Sequence, residues 1–179
     1  MLDLDGTIYQ TLDVKERAWH ATIANTRSIG IEIANIGAYP VNGTNPFSEW
    51  YSTNKEGEIS LIIPENSGIR TPNFKSGPIR QYLVNGTIQG QYLSQYDLTP
   101  QQYNALPKLI AALVKIFPKL KPQFPTDKDG NVINHALNQT EFEEFSGILG
   151  HYHIQTNKID PGPAFQWERI LKDINNLIK

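Results

Sequence analysis

The chain has 179 residues, of which 39% are hydrophobic and 19% charged, and its formal net charge is −2. This composition is typical of one globular domain with a sizeable core, and the slightly negative charge does not favour nucleic acid as a partner. No apolar run reaches the roughly 18 residues of a membrane span, and the lack of cysteine excludes disulfides, thiolate metal ligands and a cysteine nucleophile.

The first half of the chain is predicted to hold two hairpins and a strand. The segment "LDLDGTIYQTL" alternates about Asp5-Gly6, which predicts a hairpin turn, and Asn85-Gly86 predicts a second one. Residues 28–36, "SIGIEIANI", are apolar and β-branched, so we expect a buried strand. Residues from about 37 to 96 are rich in Gly, Pro, Asn and Ser and are expected to be mainly loop.

The second half is expected to be mainly helical. Thr99 and Pro100 predict the start of a helix, and Pro107 predicts a kink or a break within it. A turn-rich loop follows, then a short helix over "NQTEFEEF", a strand at "GILGHYHI" and an amphipathic C-terminal helix in "PAFQWERILKDINNLIK". The predicted fold class is therefore α/β, a mixed β-sheet with flanking helices and a loop-rich insertion.

The motif D-x-D-G-T near the start of the chain has two interpretations. In phosphate-transferring hydrolases of the haloacid dehalogenase superfamily, the first Asp is the nucleophile and follows a complete buried strand. Here the apolar segment before Asp3 is too short, and the close acidic pair late in the chain, Asp127 and Asp129, lies in another Asp-Gly turn. We therefore interpret Asp3 and Asp5 as parts of a hairpin and not as catalytic groups.

The densest polar stretch is "GHYHIQTNKIDPGPAFQW", which contains His151, His153, Lys158 and Asp160. Histidine and aspartate are both zinc ligands, and the Pro-Gly-Pro corner after Asp160 restricts the backbone, which helps to preorganise a ligand. From these residues alone, a solvated surface loop is an equally good interpretation.

Further segments favour a functional interpretation. The series "RAWHA", "NTRSIGIEIAN" and "GHYHIQTNKIDPGPAFQW" resembles the zinc-dependent N-acetylmuramoyl-L-alanine amidases of the AmpD-like amidase-2 family, relatives of the peptidoglycan recognition proteins. The resemblance covers residues 1 to about 36 and about 95 to 179. It implies that a zinc-activated water hydrolyses the amide bond between N-acetylmuramic acid and L-alanine in peptidoglycan or muropeptides, and that D-x-D-G-T is a scaffold hairpin.

The resemblance also assigns catalytic roles. His151 and Asp160 match two zinc ligands, and zinc lowers the pKa of a bound water and polarises the scissile carbonyl. Glu32 matches the acid that activates this water and passes its proton to the leaving amine. Lys158 matches the cation that stabilises the oxyanion of the tetrahedral intermediate.

Other polar residues receive different interpretations. Trp19 and His20 match a segment beside the substrate groove, so the resemblance implies that they bind substrate. His153 is two residues from His151 and would share its strand face, either as an alternative ligand or, as we favour, in support or packing. His135 lies in a turn-rich loop and is expected to be solvated.

The chain departs from the family pattern at its start. The family's first zinc ligand is a histidine upstream of the D-x-D-G-T hairpin, and a catalytic zinc normally has three protein ligands. We therefore expect residues 1–179 to be a single amidase-like domain that is truncated at its N-terminus, with poor zinc affinity. The alternative function is a non-catalytic peptidoglycan-binding module.

A second departure is the insertion at about residues 37–96, where small family members have a short loop. Its aromatic and cationic side chains predict either a wall of the substrate groove or a local core under a long loop. These residues are Trp50, Tyr51, Phe74, Tyr82, Tyr92, Arg70, Lys75 and Arg80.

The sequence leaves the compartment and the oligomeric state open. The first ten residues are acidic and lack the basic stretch of a signal peptide. For a full-length protein we favour the cell envelope or secretion, with the cytoplasm as the alternative.

Overall fold

A computed structural model describes all of the chain, residues 1–179. Its regular elements are short except for two helices. In chain order they are a 3-10 helix (Thr22–Ala24), β1 (Tyr39–Pro40), α1 (Phe47–Trp50), β2 (Tyr51–Thr53), β3 (Ile59–Leu61), β4 (Val84–Ile88), β5 (Gln91–Gln95), α2 (Pro100–Ile116), α3 (Gln139–Glu144), a second 3-10 helix (His151–His153) and α4 (Trp167–Ile178). No helix combines the length and the apolar composition needed to cross a bilayer.

The main sheet has three antiparallel strands in the order β1-β5-β4. The hairpin of β4 and β5 turns at Gln89 and Gly90, which have φ angles of 52° and 73°. The predicted turn at Asn85-Gly86 is therefore wrong, since both residues lie inside β4. Gly86 is small for a packing reason: a Cβ atom there would lie 2.7 Å from the Cβ atom of Pro163.

The hairpin predicted at the D-x-D-G-T motif is confirmed. Leu2 bridges to Ile8, and Gly6 adopts a φ angle of 81° in the turn. The Asp5 carboxylate accepts hydrogen bonds from the Thr71 N–H at 3.0 Å and the Thr71 hydroxyl at 2.7 Å. Asp5 therefore ties the hairpin to the insertion.

The strand predicted over residues 28–36 forms only in part. Leu2 bridges to Ile33 in parallel, and the Leu2 N–H donates to the Glu32 carbonyl oxygen at 2.7 Å. Ile31 and Ile33 pack against the core while Glu32 is exposed. The side chains therefore alternate between the core and the solvent as in a strand, but the backbone pairing is limited to Leu2.

The core lies between this sheet and the two long helices. α2 and α4 pack against each other, and the main cluster of buried side chains includes Leu2, Leu93 and Ile174, all fully buried. The cluster thus draws on residues from both ends of the chain.

The helix predictions are largely confirmed. α2 begins with a capping box between Thr99 and Gln102, and α3 begins with one between Asn138 and Glu141. α2 nevertheless runs through the buried Pro107 without a break. Packing of this face against the core compensates for the one backbone hydrogen bond that proline cannot make.

The strand predicted at "GILGHYHI" is wrong, because residues 151–153 form a 3-10 helix. The Gly150 N–H donates to His153 Nδ1 at 2.9 Å. This local bond closes a turn and competes with pairing to a neighbouring strand. His151 and His153 consequently do not share a strand face.

The insertion has a small core of its own. Phe47, Tyr51 and Ile59 are buried, and the Tyr51 ring lies 4.2 Å from the Tyr96 ring. The local-core interpretation therefore holds for Tyr51, whereas the side chains of Trp50, Tyr82 and Tyr92 are exposed.

Candidate active site

His151 and Asp160 form the centre of the candidate site. His151 Nδ1 lies 3.1 Å from Asp160 Oδ2, and His151 Nε2 lies 2.7 Å from Gln155 Oε1. Asp160 Oδ2 and Gln155 Oε1 are both acceptors, so the ring can donate to either of them; with a metal ion on Nδ1, the proton would lie on Nε2 and be donated to Gln155 Oε1.

The distance between the two atoms is that of a hydrogen bond, and it is also close to the spacing of two ligands on one zinc ion. Zinc–nitrogen and zinc–oxygen bonds of about 2.0–2.2 Å at a tetrahedral angle separate the two donor atoms by about 3.4 Å. The separation of 3.1 Å is only slightly shorter. No third His, Asp or Glu side chain joins this pair in an arrangement that could hold a metal ion.

The segments that carry His151 and Asp160 are joined through their backbones. The Tyr152 N–H donates to the Asp160 carbonyl oxygen at 3.2 Å. A Cβ atom on Gly150 would lie 2.7 Å from Pro161 Cδ, so only glycine allows this close approach. A cis peptide bond joins Asp160 to Pro161.

His153 is a packing residue in this structure. It is fully buried, its Nε2 lies 2.7 Å from the Ile133 carbonyl oxygen, and its Nδ1 accepts from the Gly150 N–H. Burial lowers the pKa of His153 to about 4, so the ring is neutral at pH 7. Both ring nitrogens are already used, which supports packing over the alternative of a zinc ligand. His135 is exposed, as expected.

A buried amide connects the Glu32 segment to the Asp160 segment. Gln95 Nε2 donates to the Asn35 side-chain oxygen at 3.2 Å and to the Pro161 carbonyl oxygen at 2.9 Å. Asn35 and Pro161 are each within three residues of a predicted site residue. Glu32 itself is exposed, and its carboxylate makes no hydrogen bond within the chain.

Lys158 lies in the turn between His151 and Asp160. Its N–H donates to the Gln155 carbonyl oxygen at 3.2 Å. Its side chain is half-buried and forms no ion pair. This hydrogen bond fixes the backbone position from which the Lys158 side chain extends, next to Gln155.

His20 lies beside the segment that carries Glu32. A Cβ atom on Gly30 would lie 2.8 Å from the imidazole ring of His20, so the ring packs directly on the backbone two residues before Glu32. His20 Nε2 is 2.8 Å from the Ser28 hydroxyl. Trp19 is 81% exposed, and the Arg17 guanidinium stacks over its ring.

The segment after His20 packs next to the His151 helix. Ala21 and Ala24 form a buried cluster with Phe142, against which Leu149 and Ile154 pack. The Arg27 guanidinium extends this contact by donating to the carbonyl oxygens of residues 142, 143 and 145. The segments that contain the predicted site residues are thus linked by direct packing and hydrogen bonds.

The decisive comparison is with protein families. The family model described as N-acetylmuramoyl-L-alanine amidase matches residues 1–163, which is most of the chain. The chain belongs to this amidase family. Searches of curated proteins and of solved structures find no match.

Membership of the family confirms the fold class and the general activity. The mixed α/β architecture with small sheets and flanking helices is consistent with an amidase-2 fold. The protein is an amidase, and peptidoglycan is the general substrate class of its family.

Sequence reasoning missed two residues that form hydrogen bonds with the candidate site and its supporting segments. Gln155 lies four residues after His151, a spacing that would have indicated a contact had a helical turn been predicted there. Gln95 is far from the site in the sequence, and no local pattern indicates its role.

Proposed function

We propose that the amidase hydrolyses the bond between the lactyl group of N-acetylmuramic acid and L-alanine, with zinc held by His151 and Asp160. The observation that carries this proposal is the pairing of His151 Nδ1 with Asp160 Oδ2 at 3.1 Å, with Gln155 fixing the imidazole tautomer. Bound zinc would lower the pKa of a water molecule and polarise the scissile carbonyl.

The chain's other site residues supply proton transfer and charge stabilisation. Glu32 accepts a proton from the attacking water and returns it to the leaving amine. The Lys158 ammonium stabilises the negative charge that develops on the carbonyl oxygen. Trp19 and His20 contact the substrate, and the exposure of the Trp19 ring supports this role.

We propose further that residues 1–179 form one amidase domain with an insertion at about 37–96. The buried cluster that draws on both Leu2 and Ile174 supports this division. With two protein ligands, the zinc affinity of this chain is expected to be lower than that of a site with three.

The presence of only two ligating side chains favours a second candidate function. In that alternative the protein binds peptidoglycan without cutting it. Retention of Glu32 and Lys158 favours the enzyme, since binding alone does not require a proton acceptor and an oxyanion cation.

The test is hydrolysis of purified muropeptides with added Zn²⁺, followed by mass spectrometry for the released peptide with a free L-alanine amine. We expect Glu32→Gln to lower turnover by roughly 10²- to 10⁴-fold, since it removes the proton acceptor and keeps the shape. Glu49→Gln is the matched control, because Glu49 is an exposed glutamate in α1.

Two results would contradict the enzyme and favour the binding module. One is sedimentation of the protein with insoluble peptidoglycan without any release of peptide at saturating Zn²⁺. The other is equal turnover by the wild-type protein and Glu32→Gln.

A further inference from the structure

We propose that Arg80, held by Asp97, is a positioning residue for the Asp160 segment, so that the insertion serves to hold a zinc ligand in place. This inference rests on the proposed function, because it assigns Arg80 a role toward the ligand Asp160. It gives the insertion a second role, separate from that of a groove wall.

Asp97 is a buried carboxylate with all of its hydrogen-bonding capacity in use. Its exposed fraction is 2%. Oδ1 accepts from the Leu98 N–H at 2.8 Å and the Tyr103 hydroxyl at 2.6 Å. Oδ2 accepts from Arg80 Nε at 2.5 Å and from Gln166 Nε2 at 2.7 Å. A carboxylate buried in this way requires a cation, and Arg80 is the cation that pairs with it.

Arg80 uses a second nitrogen to hold the segment after Asp160. While Nε bonds to Asp97, Nη2 donates to the Ala164 carbonyl oxygen. The Ala164 N–H donates in turn to Gln95 Oε1 at 3.0 Å. Both polar groups of the Ala164 backbone are therefore held by side chains, one of them from Arg80 and the other from the end of β5.

The backbone between Ala164 and Asp160 has little freedom to absorb a displacement. Pro161 and Pro163 each fix one φ angle. Gly162 has a φ angle of 88°, and a Cβ atom there would lie 2.2 Å from Gln95 Oε1. A shift of Ala164 is consequently passed along this stiff segment to the backbone of Asp160, which carries the carboxylate.

The geometry requires arginine and not only a positive charge. A lysine at position 80 could pair with Asp97, but a single ammonium on a flexible stem cannot reproduce the rigid fork that reaches Asp97 and Ala164 together. Arg80→Lys therefore keeps a positive charge beside Asp97 but removes the hydrogen bond that holds Ala164 and, through it, the Asp160 segment.

The experiment compares the wild-type protein with Arg80→Lys. Three quantities are measured: the Zn²⁺ dissociation constant by competition with a chromophoric chelator, amide hydrogen exchange at Gly162 and Ala164, and the urea unfolding midpoint. Arg70→Lys is the matched control, since Arg70 is an exposed arginine of the same insertion.

We expect Arg80→Lys to remain folded, to weaken Zn²⁺ binding by roughly 10- to 100-fold, as loss of a residue that orients a ligand does, and to speed exchange at Ala164. Arg70→Lys should change none of these quantities. Should Arg80→Lys fail to fold, Tyr103→Phe replaces it, since it removes the hydroxyl that bonds Asp97, lies 3.3 Å from the Ala164 carbonyl oxygen and accepts from the Gln166 N–H at 3.1 Å. It should act in the same direction.

Unchanged Zn²⁺ affinity and unchanged exchange in a destabilised Arg80→Lys protein would overturn the inference and leave Arg80 with a structural role alone. The proposed function fails separately, if the wild-type protein binds no Zn²⁺. In that case the exchange rate at Ala164 still decides whether Arg80 restrains the segment.

Discussion

Protonation of His153 is predicted to destabilise the fold. The ring is fully buried, and its Nδ1 accepts the Gly150 N–H, a bond that a protonated ring cannot accept. The pKa of His153 is about 4 in the folded chain, against an ordinary value of 6.5. This difference of about 2.5 between the pKa values of the unfolded and folded chain corresponds to about 3 kcal/mol in the free energy of unfolding, at about 1.36 kcal/mol for each pH unit.

The sign follows from the lowered pKa. The unfolded chain binds a proton at His153 below about pH 6.5, and the folded chain resists doing so until about pH 4. Neutral His153 therefore makes its full contribution to the free energy of unfolding above about pH 6.5. This contribution is lost as the pH falls from about 6.5 to about 4. Against a total stability of about 5–15 kcal/mol for a typical domain, a loss of about 3 kcal/mol is large.

The assay is urea unfolding at pH 7.0, 5.5 and 4.0, in the presence of a chelator so that no metal ion contributes. Since carboxylates also titrate in this range, the informative quantity is the difference between the wild-type protein and His153→Gln. That difference should change by about 3 kcal/mol between pH 7 and pH 4. His135→Gln, at an exposed histidine, should stay close to the wild-type curve, since the charge of His135 is the smallest of the causes that shift the pKa of His153. Parallel curves for the wild-type protein and His153→Gln would refute the reasoning.

Three further predictions concern the site and its support. Gly86→Ala should destabilise the fold by about 1–3 kcal/mol, measured by urea unfolding, because the added methyl group meets Pro163; an unchanged midpoint would contradict the packing. Gln155→Leu should weaken Zn²⁺ binding by roughly 10- to 100-fold in a chelator competition, because His151 loses the acceptor that fixes its tautomer; equal affinity would show that Gln155 does not orient the ring. Trp19→Ala should change the stability by less than about 0.5 kcal/mol, since the ring is 81% exposed, and should raise KM for muropeptides; an unchanged KM would remove Trp19 from the substrate site.

Local signals in the sequence predicted the helices well. Thr99 and Asn138 are capping residues whose hydrogen bonds are made within the same turn. Three or four consecutive residues are therefore enough to predict where each helix begins. The Asp5-Gly6 hairpin was predictable for the same reason.

The two wrong predictions have different causes, one a long-range contact and the other a local hydrogen bond. Asn85-Gly86 has the composition of a hairpin turn, but Gly86 is required by contact with Pro163, which is far away in the sequence. The "GHYHI" segment has the composition of a strand, but a side chain–backbone bond of His153 makes it a helical turn. Pro163 cannot be identified as a partner from the residues around Gly86, whereas the partners of the second bond are only three residues apart and the strand-like composition outweighed that signal.

The candidate site shows the same division. His151 and Asp160 are close in sequence and lie in contact, so their pairing could be anticipated. Gln95 and Arg80 hold the Asp160 segment from the insertion, and nothing near them in the sequence indicates this.

A Zn²⁺ titration of the wild-type chain, His151→Ala and Asp160→Asn, read by competition with a chromophoric chelator, addresses the zinc site itself. If His151 and Asp160 share one zinc ion, the wild-type protein binds one equivalent, and each substitution weakens that binding by at least about tenfold. Equal Zn²⁺ binding by all three proteins, or none by the wild-type chain, would contradict a zinc site at this pair.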